Sequence, residues 1–224
     1  MSLALAWSTG KDAAWTLHLL RDQGAEVSVL VTTVAREFDR VSGHGVRRTV
    51  LRQQAARLDL PLIEVELPTP CSDELYQFAF GSALGDLKTR FGVEEVAFGD
   101  LFLADVRQYR ERLLRPLGLE AIFPLWGIRS DLLIRNMLRA GVVAHVAALD
   151  PAKVPQQYAG WAIDRRFVDE LPAAVDPCGE NGEFHTLVTD GPMFPTPLEV
   201  FPGEVVERDG MLYADFTLSR DVDA

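Results

Sequence analysis

The chain is poor in the residues that build several common kinds of site. Cys71 and Cys178 are its only cysteines in 224 residues. Two isolated cysteines cannot alone form a Cys-rich zinc or iron–sulfur site, and they suit a reducing, cytoplasmic setting. His18, His44, His145 and His185 lack metal-ligand spacing. No apolar run is long enough to span a bilayer, and the N-terminus enters a strand-like run without a basic stretch. Neither a membrane partner nor a signal peptide is therefore expected. Positive charge is also scarce: 22 Lys and Arg against 33 Asp and Glu give a formal charge of −11. Nucleic-acid binders carry a basic footprint, so no nucleic-acid partner is expected, although Arg107, Arg110, Arg112 and Arg115 cluster. Hydrophobic residues make up 48% of the chain, which implies a packed core rather than disorder.

Apolar strand-like runs alternate with segments of helical period. Strands are expected near 2–7, 27–34, 61–67, 94–98 and 143–149, and helices near 11–22, 45–58, 72–91, 105–116 and 129–140. Gly24 and Gly141 stand where helix C-terminal glycines belong. Such alternation implies an α/β fold with a mostly parallel sheet covered by helices, in which ligands bind at the C-terminal strand ends. Beyond position 150 prolines break the pattern. Residues 183–189 and 198–217 read as short strands with a turn at Asp209-Gly210, a smaller α+β portion. The division expected is 1–126 for a first, nucleotide-binding domain and 127–224 for a smaller C-terminal one.

The stretch LALAWSTGKDAAW, residues 3–15, reads as a strand, a tight turn and a helix start. A turn of this kind aims backbone N–H groups and a helix dipole at one spot, which suits an anion; the plain alternative is an ordinary strand-to-helix turn. A Walker A loop is excluded, because Asp12 follows Gly10-Lys11 and Leu5 stands five positions before Gly10. A dinucleotide fingerprint fails as well, since Gly43 and Gly45 lack a third glycine.

Ser8-Thr9-Gly10-Lys11-Asp12-Ala13 resembles the S-G-G-x-D-S loop of the PP-loop ATP pyrophosphatases, with Thr9 in place of the second glycine and Ala13 in place of the final serine. Three further stretches extend the likeness: HGVRRTVLRQQAARLDLPL (44–62), GDLFLADVRQYRERLLRPLGLEAIFPLWGIRSDLL (99–133) and DPCGENGEFHTLVTDGPMF (176–194). Together they resemble the diphthine–ammonia ligase family of N-type PP-loop enzymes. The resemblance implies a Rossmann-like sheet of the PP-loop/HUP type with helices on both faces. It also implies a reaction: ATP activates a carboxylate as an acyl-adenylate with release of pyrophosphate, and ammonia forms the amide. The carboxylate is carried on a protein in the family's known case. ATP, ammonium and Mg²⁺ are the small partners implied; the oligomeric state is open, a homodimer included.

On this reading Ser8, Thr9, Gly10, Lys11, Asp12 and Ala13 hold the nucleotide with Gly99 and Asp100, which follow another strand end. Ala13 removes a hydroxyl that would bond phosphate. Lys11 and Asp12 are candidate catalytic residues. The turn Cys178–Glu183 sets two carboxylates and an amide between glycines. Carboxylates beside a triphosphate need a cation between them, so Glu180 and Glu183 are expected to hold ammonium or Mg²⁺ and to accept a proton. Asp100 and Glu183 are the candidate metal ligands. His44, Arg107 and Asn181 are the candidate substrate-binding residues, whereas Glu111 reads as a surface ion-pair partner of Arg107 and Cys178 as structural. Two other functions compete: a nucleotide sensor that has lost catalysis, suggested by Thr9 and Ala13, and an RNA-thiolating enzyme, disfavoured by the charge and the lack of paired cysteines.

Overall fold

The computed structural model describes residues 2–218. The chain begins with β1 (Ser2–Ala6), α1 (Lys11–Asp22), β2 (Glu26–Ala35), the short β3 (Arg40–Val41), α2 (Arg48–Leu58) and β4 (Leu62–Leu67). It continues with α3 (Asp73–Phe91), β5 (Val93–Ala97), α4 (Ala104–Leu114), β6 (Glu120–Ile122) and α5 (Ser130–Arg139). Next come β7 (Val143–Leu149), α6 (Arg165–Glu170), β8 (Phe184–Asp190), β9 (Phe201–Arg208) and β10 (Met211–Thr217).

The first sheet runs β3-β2-β1-β5-β6, and β4 pairs with β2. Only β3 is antiparallel. Counting the parallel strands alone, the order is 3-2-1-4-5, so the chain reverses direction across the sheet between β1 and β5. Alternating side chains bury both faces. Leu3, Leu5, Leu30 and Val34 pack with Leu17, Val50 and Leu51 of α1 and α2. Ala4, Val29, Val31 and Val96 pack with Phe80, Leu84 and Leu114 of α3 and α4. The fold is thus α/β, with a mixed, mostly parallel sheet sandwiched by helices. No described helix is long and apolar enough to cross a membrane.

The second sheet has the order β8-β7-β10-β9 and is antiparallel throughout. Here one expectation needs correcting. The run 143–149 continues the strand–helix alternation in sequence, yet β7 lies in the second sheet, paired with β8 and β10. Periodicity identifies a strand but not its neighbours. The expected turn at Asp209-Gly210 closes the β9–β10 hairpin, with φ of 50° and 79°, the pair of left-handed residues that a tight hairpin needs. The helix expected from 45 begins at Arg48, because Gly45 and Val46 turn back onto Val41. The last six residues of the expected C-terminal domain, 219–224, lie outside the described residues.

Candidate functional site

The loop after β1 is formed jointly with the second sheet. Thr9, whose φ is 70°, stands in a conformation unfavourable for a β-branched residue. It is fully buried, and its carbonyl accepts from Val188 N at 2.9 Å. The buried Gln54 amide donates to Thr9 O at 3.2 Å and to Val188 O at 2.7 Å, while its oxygen accepts from Trp7 Nε1 at 2.9 Å. Gly10 is the N-cap of α1. A Cβ there would stand 2.7 Å from His44 Cε1 and 3.1 Å from Thr186 Oγ1, so glycine is needed because His44 and β8 both press against the loop. Gly99 is needed for a similar reason: its Cβ would stand 3.0 Å from the Asp12 carbonyl carbon.

At the switch between β1 and β5, where ligands bind in open α/β sheets, lies a cleft of about 310 Å³. Ser8, Lys11, Asp12, Ala13, His44, Gly99, Asp100 and Glu180 line it. Thr9 and Gly10 form the loop behind it, and Arg107, Asn181 and Glu183 are not among its walls.

Lys11 is 2% exposed. Its ammonium donates to Asp12 Oδ2 at 2.9 Å and to the Cys178 carbonyl, and lies 5.4 Å from the Phe184 ring centre. Burial pulls its pKa down, but Asp12, Cys178 and Asp176 outweigh that and leave it raised, so the amine stays charged. The Lys11 backbone N–H donates to Thr186 Oγ1 at 3.0 Å. The loop's cation, expected to face a phosphate, therefore also ties the loop to the Cys178–Glu183 turn.

The two glutamates of that turn differ. Glu183 is buried, and its carboxylate accepts from Asp176 N, Asn181 N and Asn181 Nδ2 at 2.9, 2.9 and 3.2 Å. Burial alone would raise its pKa; these donors outweigh it and keep the group ionised. Glu183 and Asn181, expected at the metal and the substrate, thus bond each other and the backbone of the turn. Glu180 faces the cleft, accepts from Leu101 N at 2.7 Å, and is pushed up to about 7 by burial, helped by Asp12 and Asp100.

Asp12 Oδ1 is buried without a hydrogen-bond partner, and Asp100 Oδ2, also buried, has only a long ion pair with Arg110 at 3.6 Å. An open carboxylate oxygen on Asp12 beside Asp100 fits a hard cation completed by phosphate oxygens. Among the described residues no cluster of three or more His, Cys, Asp or Glu could hold a metal.

Arg107 stacks on Phe123 and Trp126, 4.9 and 4.8 Å from the ring centres, and pairs with Glu111 at 2.9 Å. The guanidinium that reaches Asp100, at 3.6 Å, is that of Arg110, which also donates to Tyr76 Oη and stacks on Phe98. The sequence signal for Arg110 is its place one turn after Arg107 in the arginine cluster. His185 and Thr186, missed in the sequence reading, are set beside the loop by β8. The His44 and His185 ring centres are 4.7 Å apart, and His44 Nδ1 bonds Thr186 O at 3.0 Å. Burial chiefly depresses both, His44 to about 3 and His185 to about 4.

Comparisons with known proteins follow the same outline. The family model for the diphthamide synthase N-terminal domain matches residues 1–121, and that for the diphthamide synthase C-terminal domain matches residues 131–214. A Schizosaccharomyces pombe protein named diphthine–ammonia ligase is 25% identical over 90% of this chain, which spans 36% of that protein, so about a third of its length. The Homo sapiens protein of the same name is 24% identical over 98% of this chain and 90% of its own. A solved structure described as a predicted subunit of tRNA methyltransferase from Methanocaldococcus jannaschii aligns over 66% of this chain and 80% of its own, at 15% identity and a TM-score of 0.45; so distant a likeness says nothing of function. With both domain models matched in order along one chain, the protein belongs to the diphthamide synthase, or diphthine–ammonia ligase, family.

Proposed function

We propose that this chain is an ATP-dependent amide-forming ligase. A carboxylate oxygen attacks the α-phosphorus of ATP, pyrophosphate leaves, ammonia attacks the acyl carbon, and AMP leaves. Family membership implies ATP and Mg²⁺. On this proposal the sheet is of the PP-loop/HUP type, and the chain divides into a nucleotide-binding part, 1–126, and a smaller C-terminal part, 127–224. Asp12 and Asp100 would hold Mg²⁺, which offsets the charge of the leaving pyrophosphate. Ser8, Ala13 and Gly99 bound the phosphate end, and Lys11 supplies fixed positive charge.

The observation that carries the proposal is Glu180. A carboxylate poised near 7 within the same cleft as Asp12 and Asp100 matches the demand of amide formation: ammonium must lose a proton to become nucleophilic, and a base works best with a pKa near ambient pH. The test is product analysis with ATP, Mg²⁺, ammonium and a panel of carboxylic acids. AMP and pyrophosphate are expected together with an amide; ADP and phosphate as the only products would refute the proposal.

A second reading is a nucleotide-binding module without turnover. Thr9 and Ala13 support it: they stand in place of the second glycine and final serine of the loop, and Ala13 lacks a hydroxyl that would bond phosphate. Tight ATP binding with no AMP release from any acid in the panel would establish it.

A further inference from the structure

Helix α3 carries apolar surface and two glycines that its own packing does not account for. Phe78 is 74% exposed, the most of any large apolar side chain among the described residues, and Leu75, one turn earlier, is exposed as well. Beside Phe78 a groove of about 590 Å³ runs between α3 and the end of α4. Phe78, Gly81, Ser82, Gly85, Leu113 and Leu117 are among its walls. We propose that this groove is the interface of a symmetric homodimer, in which two α3 helices cross antiparallel and Phe78 of each copy is seated at Gly85 of the other. This holds whatever reaction the cleft performs.

Gly81 and Gly85 stand inside a helix of 19 residues, where glycine is less stable than alanine. Gly10 and Gly99 are explained by atoms that a Cβ would strike, but these two are not. A Cβ at Gly85 meets nothing within 4 Å, and one at Gly81 meets only Leu113 Cδ1, at 3.8 Å, an ordinary contact. The space they leave opens into the groove, where it admits a side chain from another molecule.

Spacing identifies that side chain. Phe78 and Gly85 lie equally far on either side of the point between Gly81 and Ser82. They are about two helical turns apart, so both face the same way. A two-fold axis through that point lays each Phe78 over Gly85 of the other copy, knob into hole on one self-complementary patch.

Charge favours the same arrangement. Asp73 and Glu74 occupy the first turn of α3, and Lys88 and Arg90 the last. Antiparallel crossing sets the acidic start against the basic end twice over and opposes the helix dipoles; a parallel pair would set like against like. Arg112 and Arg115, both exposed, add positive charge on the flank. The face is thus not acidic, in a chain of charge −11 whose copies repel elsewhere. A 19-residue helix is about 28 Å long. With the end of α4 beside it, the contact buries roughly 1,000 Å² in all, the low end for a specific interface, and a dissociation constant of about 1–100 µM is expected.

The test is sedimentation velocity and light scattering of the whole chain from about 1 to 500 µM. A monomer–dimer equilibrium is expected. Phe78→Glu, at an exposed position, and Gly85→Leu, which fills the hole, should each weaken it by about tenfold or more. Gly85→Leu has a second readout. It removes a helix glycine, so the thermal midpoint at about 1 µM, where the chain is mostly monomeric, should hold or rise; loss of the dimer is then not misfolding. In a Cys71→Ser background, which leaves only the buried Cys178, Ser82→Cys stands next to the axis and should form an interchain disulfide on mild oxidation. A chain that stays monomeric throughout overturns the inference, as does a dimer unmoved by both substitutions, which would use another face. Dimer loss in both variants without the Ser82→Cys bridge overturns the antiparallel crossing; loss in both with the bridge upholds it.

Discussion

The turns on the two sides of the cleft use their polar groups in opposite ways. After β1, side chains reach outward: Lys11 bonds the opposite turn, and Asp12 keeps an open oxygen in the cleft. Before β8, most side chains turn inward. Asp176 accepts from Cys178 N and Glu180 N, Glu183 accepts from Asp176 N and Asn181 N, and of the turn's two glutamates it is Glu180 that faces the cleft. Two glutamates three residues apart are thus separated into one that forms the turn and one available for chemistry.

The sharpest way to break that contrast is to exchange the roles by mutation. Glu180→Gln should lower kcat for amide formation by at least about 100-fold, the usual range for a removed general base, while affinity for an ATP analogue stays within about twofold. In the unmodified protein the rate should rise with pH and level off above about 7, the value to which Glu180 is pushed, and this limb should vanish in the variant. An intact rate would remove Glu180 from the mechanism.

Glu183→Gln should act on folding instead. It removes the charge that three donors address, and hydrogen bonds to charged groups are worth about 1.5–3 kcal/mol. Urea unfolding should show a loss of about 2 kcal/mol, and at temperatures where the variant is folded the ATP-analogue affinity should persist. Unchanged stability with lost turnover would reverse the assignment of the two glutamates.

A smaller effect concerns acid. His44 and His185 have folded pKa values of about 3 and about 4, below the unfolded value. The unfolded chain therefore takes up more protons as pH falls below about 6.5, and stability is lost on the way down to about 4. Glu180 works in the other direction, since a raised carboxylate loses stability as pH rises through about 7. Asp12 and Asp100, also raised by burial, act in the same direction as Glu180; the part due to each histidine has a slope of up to about 1.4 kcal/mol per pH unit. His44→Asn should flatten the dependence of the urea midpoint; an unchanged slope would show that His44 is not the group responsible.

The smallest effect is expected at Thr9. Thr9→Gly relieves the left-handed conformation, about 1–2 kcal/mol, but removes a buried side chain and frees the unfolded backbone. The terms oppose, and the net change should stay within about 1 kcal/mol. A larger gain would mark the loop as strained.

Most of the first sheet was legible because both its faces are buried and each strand is a short apolar run between helices. β7 has the same signature, yet its partners are chosen by β8 and β10, far along the chain, which a local pattern does not encode. β6, three residues long, and β3, two residues long, are too short to carry a period. In the site, Ser8–Ala13 and Gly99-Asp100 were readable because strand ends are marked by small and polar residues. The separation of Glu180 from Glu183 was not, since both are glutamates on one turn and differ only in which backbone N–H groups surround them. Arg110 was hidden by its neighbour: Arg107 and Arg110 are alike in sequence, and only packing against Phe98 rather than Trp126 separates them.

One buried amide has a consequence for how the chain can be divided. Gln54 joins Trp7, Thr9 and Val188, and Val188 N completes the bond to the loop. Part of the loop's fixed geometry is thus supplied by β8, a strand more than 170 residues downstream. Residues 1–126 produced alone would carry the loop's sequence without its shape, with Thr9 free to leave its unfavourable conformation. Insertion or fusion is tolerable at many surface turns, but separating the two halves would remove the Val188 bond that holds Thr9. The loop after β1 is an interface as much as a motif.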